Sequence, residues 1–558
     1  MDLKGVFLME ILKKYLKQVD FDSYEEFTEK FELIIPESFN FAYDVVDEWA
    51  RTEPDKTALV YKDDFGYERT FTFSEMKRLS DQAANYFLSK GITKGDVVML
   101  TLKRKYHFWY LSMGLHKIGA VCIPATEQLK QKDYEYRFHS AEVKMIVCID
   151  LHDHLNDIEL AVKGTSMDII KAFVGDGEKE GWDNIDTEFM KTSDVYERPS
   201  DYPRNNDLML MYFTSGTSGN PKIVAHNYYY PLGHITTSYY WSACRDNGLH
   251  FSVAETGWAK CAWSKLYGVW LSGCAVMVYD MVKFDPETLL DVMENTPITS
   301  FCAPPTIFRF LIRTDLTNRN LSHIHDCTTA GEALNAEVFN IWREKTGLTI
   351  REGFGQSESA IIAGTFKWLT PKPGSLGKPN PLYEISLVNE NGEIAQTGEE
   401  GQISILLRNG IIPVGLFQEY YMEPERTYET FASGVYYTGD LAYADEDGYL
   451  WYVGRADDVI KTSGYRVGPF EVESAIMRHA SVLECAVAGA ADEVRGQIIK
   501  ATIVLNTGYS PSEELKLEIQ DFVKSITAPY KYPRMIEFAD ELPKTFNGKI
   551  RRFVLRKL

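Results

Sequence analysis

No part of this sequence predicts a bilayer-spanning segment or a disulfide-stapled scaffold. No apolar run reaches the ~18 residues that a membrane-spanning helix needs. The opening MDLKGVFLMEILKKYLKQVD mixes acidic residues with helically spaced apolar ones. It predicts an amphipathic helix and lacks the long apolar core and small-residue cleavage site of a secretory signal. The eight cysteines are scattered without a CxxC pair, which argues against a disulfide framework or a zinc ribbon. His323, His325 and Cys327 alternate in HIHDC, but two further ligands at a familiar spacing are missing, so the stretch reads as structural. Positive charge is short as well. Against 80 Asp and Glu there are 59 Lys and Arg, a net charge of −21. That balance argues against a general binder of nucleic acid or anionic membrane, though not against anionic small molecules. One local patch runs the other way: from Lys524 to the end, nine basic residues stand against three acidic ones. The terminal Arg556-Lys557-Leu558 shares only its last two residues with a peroxisomal Ser-Lys-Leu address. Repeats and low-complexity segments are also missing, and the expected location is the cytoplasm.

What is present is an ordinary globular composition, 45% apolar and 25% charged. At 558 residues the chain is too long for one compact core, so two or more domains are expected. Short apolar runs, TALVY near residue 60, VVMLTL near 98, KMIVCID near 147, AVMVYD near 278 and ITSFCAP near 301, alternate with amphipathic stretches such as SEMKRLSDQAANYFLSKG. Strand, helix, strand in repetition predicts α/β layers with largely parallel sheets. After about Pro371 the texture changes to PKPGSLGKPNPLYEISLVNENGEIAQTGEEGQISI, whose turn residues between short strands predict a β-rich subdomain. A second boundary falls in GRADDVIKTSGYRVGPFEVESAIMRH, where a helix is expected to open near Pro469. From there roughly a hundred residues remain, enough for a separate core.

The stretch LMLMYFTSGTSGNPKIVAHN follows a strand-like run with Thr214, Ser215, Gly216, Thr217, Ser218, Gly219, Asn220, Pro221 and Lys222. Glycines let backbone N–H groups face a ligand, and four hydroxyls with one ammonium add donors suited to phosphate oxygens. The Walker A loop does not fit, because Pro221 precedes Lys222 and Ile223 stands where its hydroxyl residue belongs. On residue chemistry alone a phosphate loop of another kind and a polar surface loop both remain open.

TSGTSGNPK resembles the signature loop of the AMP-forming acyl-CoA synthetases of the adenylate-forming superfamily. Five further segments resemble that family's motifs in its order: GEAL from Gly331, EGFGQSE from Glu352, YTGD from Tyr437, GRADDVIKTSGYRVGPFEVE from Gly454 and LPKTFNGKIRR from Leu542. QSE and the run APYKYPR resemble the medium-chain branch most. The resemblance implies an α/β fold. A large N-terminal domain, 1–456, would have layered α/β subdomains plus a β-rich subdomain, and a small mobile α+β domain, 457–558, would hinge at Asp457. It also implies an acid–thiol ligase that joins a medium-chain, branched or aromatic carboxylic acid to coenzyme A through acyl-AMP, using ATP and Mg2+. Glu358 would hold the magnesium, Lys222 and the Thr214–Gly219 loop the phosphates, and Lys549 would act catalytically during adenylation. Gly331, Glu332, Ala333, Glu352, Gly353, Phe354, Gly355, Gln356 and Ser357 would form the nucleotide side. Asp440 would accept the ribose hydroxyls beside Arg455. Gly464 would line the pantetheine tunnel, and Arg466 would contact CoA or nucleotide.

For the acyl pocket, Trp258, Trp263, Gly355 and His226 are the candidates. Small-acid relatives carry a blocking Trp where Gly355 stands, so Gly355 predicts an opened pocket and a preference against acetate. Two alternatives stay open: transfer of the acyl group to a carrier-protein phosphopantetheine, and a non-catalytic nucleotide- or acyl-binding relative. Acid, ATP and CoA are the expected partners, without nucleic acid or a membrane span, and an oligomer is possible.

Overall fold

The computed structural model describes residues 11–556 except 152, 201–202, 215–219, 463–464, 493–494, 529 and 545–549. Among the described residues three sheets form. The runs read as buried strands are strands: Thr57–Asp63, Val97–Thr101, Val143–Ile149, Ala275–Asp280 and Ser300–Cys302. Val97–Thr101 and Ala275–Asp280 are buried along their whole length, as continuous apolar runs in a sheet covered on both faces must be.

One sheet of eight strands carries Val97–Thr101 between Val121–Pro124 and Val143–Ile149, all parallel. Leu208–Thr214 joins it parallel to Val121–Pro124, and Lys222–Asn227 returns antiparallel. A second sheet of thirteen strands has a parallel core through Thr57–Asp63, Ala275–Asp280, Leu249–Ser252, Ser300–Cys302, Asp326–Ala330 and Ile350–Phe354. The β-rich part expected after Pro371 is there, and it continues this same sheet. Ser375–Pro379 pairs antiparallel with both Ala363–Gly364 and Leu450–Arg455, leading into Val435–Ala444, Gly401–Leu406 and Glu384–Val388. The large part is thus α/β with mixed sheets. The third sheet has five strands in 460–538, packed with the helices Pro469–Ile476 and Glu513–Ile526 in a smaller α+β unit with a separate apolar cluster.

Helices cover the parallel strands for local reasons. Phe73–Ser89 opens on a reciprocal cap: Thr72 Oγ1 accepts from the Glu75 amide at 3.2 Å, and Glu75 Oε2 accepts from the Thr72 amide at 3.0 Å. It packs on His107–Ile118 so closely that a Cβ at Gly114 would lie 2.5 Å from the Ala83 Cβ. Three buried tryptophans cross-link the layers through their N–H groups: Trp49 to Trp270 O, Trp270 to Ala58 O and Trp109 to Lys265 O. No helix among the described residues is long and apolar enough to cross a membrane.

Candidate active site

Leu208–Thr214 and Lys222–Asn227 pair antiparallel, with Thr214 opposite Lys222, so the element after the phosphate-loop sequence is a strand and not a helix. Ser215, Gly216, Thr217, Ser218 and Gly219 lie outside the described residues. Lys222 is half-buried, with Nζ 4.9 Å from the centre of the Tyr420 ring. Burial lowers its pKa and nearby Arg426 adds to that, while Glu358 pulls it back up. The Tyr420 hydroxyl donates to Glu358 Oε1 at 3.2 Å, and the Glu358 carbonyl accepts from the Phe417 amide at 2.7 Å. Tyr420 thus stands between the two residues singled out for phosphate and metal.

Three of the motif segments meet in one hydrogen-bonded junction. Gln356 Nε2 donates to Thr438 O at 2.7 Å and to Asp440 Oδ2 at 2.6 Å, while Gln356 Oε1 accepts from the Tyr436 hydroxyl at 2.8 Å. Arg455 lies across the strand pair from Asp440. Its Nη1 donates to Thr438 O at 2.9 Å and to Asp440 Oδ2 at 3.1 Å. The Tyr452 hydroxyl donates to Asp440 Oδ1 at 3.1 Å. Gly439 has φ +76°, and a Cβ there would meet Arg455 Nη2 at 2.6 Å, so both the turn and the guanidinium require a glycine.

On the neighbouring parallel strands, Thr329 pairs with Glu352 and Ala330 with Gly353. Gly331, Glu332 and Ala333 form the turn that follows, with Gly331 at φ +102°. Glu332 accepts from the Thr306 hydroxyl at 3.1 and 3.0 Å and pairs with Arg309 at 3.1 Å. The Leu334 amide donates to Glu352 Oε1 at 3.0 Å, tying this turn to the strand. Glu352 Oε2 has no partner among the described residues, and burial pushes the carboxyl up to about 8. Phe354 ends the strand, and Gly355 and Ser357 follow in the loop to Glu358.

Gly355 packs against another of the acyl-pocket candidates. A Cβ on Gly355 would lie 2.1 Å from Trp263 Cη2 and 2.5 Å from Cζ2, so the indole takes the room the missing side chain leaves. Trp263 is buried and its Nε1 donates to Ser359 O at 3.1 Å. Trp258 is half-buried at the start of the Ala259–Ser264 helix. His226 is fully buried, with Nε2 2.8 Å from Ser357 O, and burial lowers its pKa to about 3, so the ring is neutral and Nε2 is the donor. Trp241, which no motif flagged, donates from Nε1 to Glu352 O at 3.1 Å, and its ring fills the space above Gly353 and Gly364.

Asp457 is exposed. Its carboxylate is 3.5 Å from Arg455 Nε, and its carbonyl accepts from Arg556 at 2.8 Å. Arg466 lies on the Tyr465–Val467 strand, ion-paired with Glu390 of the large part. Gly464 and Lys549 lie outside the described residues. In HIHDC, His323 Nε2 is 2.8 Å from Met293 O and Cys327 is buried on a strand.

An α/β large part, a small α+β unit and a polar junction joining the Gln356, Asp440 and Arg455 segments define an adenylate-forming enzyme. The chain belongs to the AMP-binding enzyme family, whose model matches residues 46–421, with the AMP-binding enzyme C-terminal domain matching 471–549. It is an ATP-dependent acid–thiol ligase that works through an acyl-adenylate. It is 41% identical to the mitochondrial acyl-coenzyme A synthetase ACSM3 of Rattus norvegicus, over 96% of this chain and 93% of that one. It is 42% identical to 4-hydroxybutyrate–CoA ligase 1 of Metallosphaera sedula, over 93% of this chain and 90% of that one. Among solved structures it superposes on the anthranilate CoA ligase AuaEII in complex with anthranoyl-AMP. The TM-score is 0.85 and the identity 28%, covering 94% of this chain and 98% of the other. The cytoplasmic expectation is corrected by these comparisons: the rat and human ACSM3 and ACSM5 relatives are named mitochondrial, and composition could not address location.

Proposed function

We propose that the chain activates a medium-chain, branched or small aromatic carboxylic acid and passes the acyl group to coenzyme A, with Mg2+ accompanying ATP. The observation that carries this reading is the junction of Gln356, Asp440 and Arg455, which gathers three motif segments beside Glu358 and Lys222. The relatives' names support the substrate range, since they include a ligase for 4-hydroxybutyrate and one for anthranilate.

In the first half-reaction a carboxylate oxygen attacks the α-phosphorus of ATP, the bond to the pyrophosphate oxygen breaks, and acyl-AMP and pyrophosphate result. In the second, the thiol of CoA attacks the acyl carbon, AMP leaves and the thiol proton is released. Both steps depend on positioning and charge neutralisation more than on a protein nucleophile. Lys222 and the 214–219 loop hold the phosphates, and Asp440 with Arg455 holds the ribose. Gly331 to Ala333 and Glu352 to Ser357 border the adenine. Lys549 brings a point charge to the carboxylate and α-phosphate. Gly464 and Arg466 serve the CoA side. Domains 1–456 and 457–558 pivot at Asp457 between the two halves. The residues present suit magnesium: Glu358 is a hard oxygen ligand beside Lys222. A magnesium ion on ATP takes most of its oxygens from phosphate and water, so one protein carboxylate suffices. Glu358 would hold it, and when bound it neutralises phosphate charge.

The test separates the halves. Lys549→Ala is expected to slow acyl-AMP formation from ATP and acid by about a hundredfold or more. Thioester formation from supplied acyl-AMP and CoA should fall by much less. Equal losses in both halves contradict the role given to Lys549.

A further inference from the structure

Three buried polar side chains next to the acyl-pocket candidates lack a full set of partners. His226 Nδ1 and His234 Nε2 are each sealed from solvent without a hydrogen-bond partner among the described residues, and the Tyr230 hydroxyl, equally sealed, has only the Trp263 indole beside it. They are contiguous. The His226 and Tyr230 rings stack with centroids 3.8 Å apart, and the His234 ring stands edge-on to Tyr230 at 4.6 Å. All three are fully or almost fully buried. His226 is held by Ser357 O, next to Glu358, and His234 lies 6.2 Å from the Trp263 ring that packs on Gly355. Leaving one such atom unpaired in a protein interior is costly, and leaving both imidazole nitrogens so, on either side of one tyrosine, is unusual.

We propose that His226, Tyr230 and His234 form a hydrogen-bonding subsite for a neutral hydroxyl on the acyl chain or ring of the acid, so that the preferred substrates are hydroxylated acids. The inference rests on the reading that His226 and Trp263 face the acyl group. Its chemistry follows from the atoms available. His226 spends its Nε2 proton on Ser357 O, so Nδ1 is a bare acceptor. The Tyr230 hydroxyl, beside the Trp263 indole N–H, keeps its own proton to donate. A substrate hydroxyl, which does both, can donate to Nδ1 and accept from Tyr230. A charged substituent finds no counter-charge here, because burial keeps both imidazoles neutral. A methyl in the same place leaves the polar atoms unpaired, and sites built to bind a hydroxyl reject such analogues strongly.

The experiment compares matched acids in pyrophosphate release: 4-hydroxybutyrate against pentanoate, and 3- and 4-hydroxybenzoate against benzoate and the toluates. The wild-type chain is expected to favour the hydroxylated member of at least one matched set by about tenfold or more in kcat/KM. Tyr230→Phe, which keeps the ring stack and removes only the oxygen, should bring that ratio close to one. Melting curves establish that the variant is folded. A wild-type ratio of one or below in every set overturns the subsite and leaves a buried water as the partner of these atoms. A ratio that Tyr230→Phe leaves intact overturns it too. Failure of every acid to elicit pyrophosphate is a different result and counts against the proposed function itself.

Discussion

Glu352 is buried, with one oxygen on the Leu334 amide and the other unpartnered among the described residues, and burial raises its pKa from the ordinary 4.5 to about 8. Below about pH 4.5 both folded and unfolded chains hold the proton, and the residue adds no pH dependence. Between there and about 8 only the unfolded chain ionises, so stability falls as pH rises, and above that the full cost is in place. Glu352→Gln keeps the acceptor for Leu334 and cannot ionise. Its melting temperature relative to wild type should therefore climb between pH 6 and pH 8.5, and melting curves of the two proteins that shift in parallel contradict the account. At this scale the sequence disclosed identities better than surroundings. Gly355 was visible as a gap in a motif, but the Trp263 indole that fills it comes from a different segment. Tyr420, between Lys222 and Glu358, sits in a run, EYYMEPE, with no pattern that marks it.

A few buried polar contacts tie the Phe73–Ser89 and His107–Ile118 helices together. Lys117, on His107–Ile118, is fully buried and reaches Asp81 on Phe73–Ser89 and Asp47 at 2.8 Å, while Lys77 also reaches Asp81 at 2.6 Å. Removing Lys117 leaves Asp47 without its counter-charge and Asp81 with Lys77 alone, at a cost of about 3–5 kcal/mol. Lys117→Met is expected to lose that much in urea unfolding, and Lys117→Met with Asp81→Asn together should recover part of it. A single-variant loss under about 1 kcal/mol contradicts the pairing. The parallel strands were legible because burial on both faces demands continuous apolar runs, and the Phe73–Ser89 helix because Thr72 and Glu75 form a cap. That the antiparallel strands extend the parallel sheet was not legible. The joint is made by Ala363–Gly364 and Ser375–Pro379, strands too short and glycine-marked to show a period.

For the whole molecule, function was readable because six motif segments spread from Thr214 to Arg552 appear in order, and the fold brings several of them to one junction. Location was not readable, because no composition argument separates one aqueous compartment from another. The central claim is that an acid and ATP become acyl-AMP on this chain and that CoA then takes the acyl group. The most direct measurement is pyrophosphate release with ATP and Mg2+ over acids from acetate to decanoate, branched, aromatic and hydroxylated ones included, each with and without CoA. The account predicts that an acid larger than acetate triggers a release limited to bound acyl-AMP without CoA and continuous turnover with it. In a folded preparation, release by no acid, or by acetate in preference to all others, contradicts it.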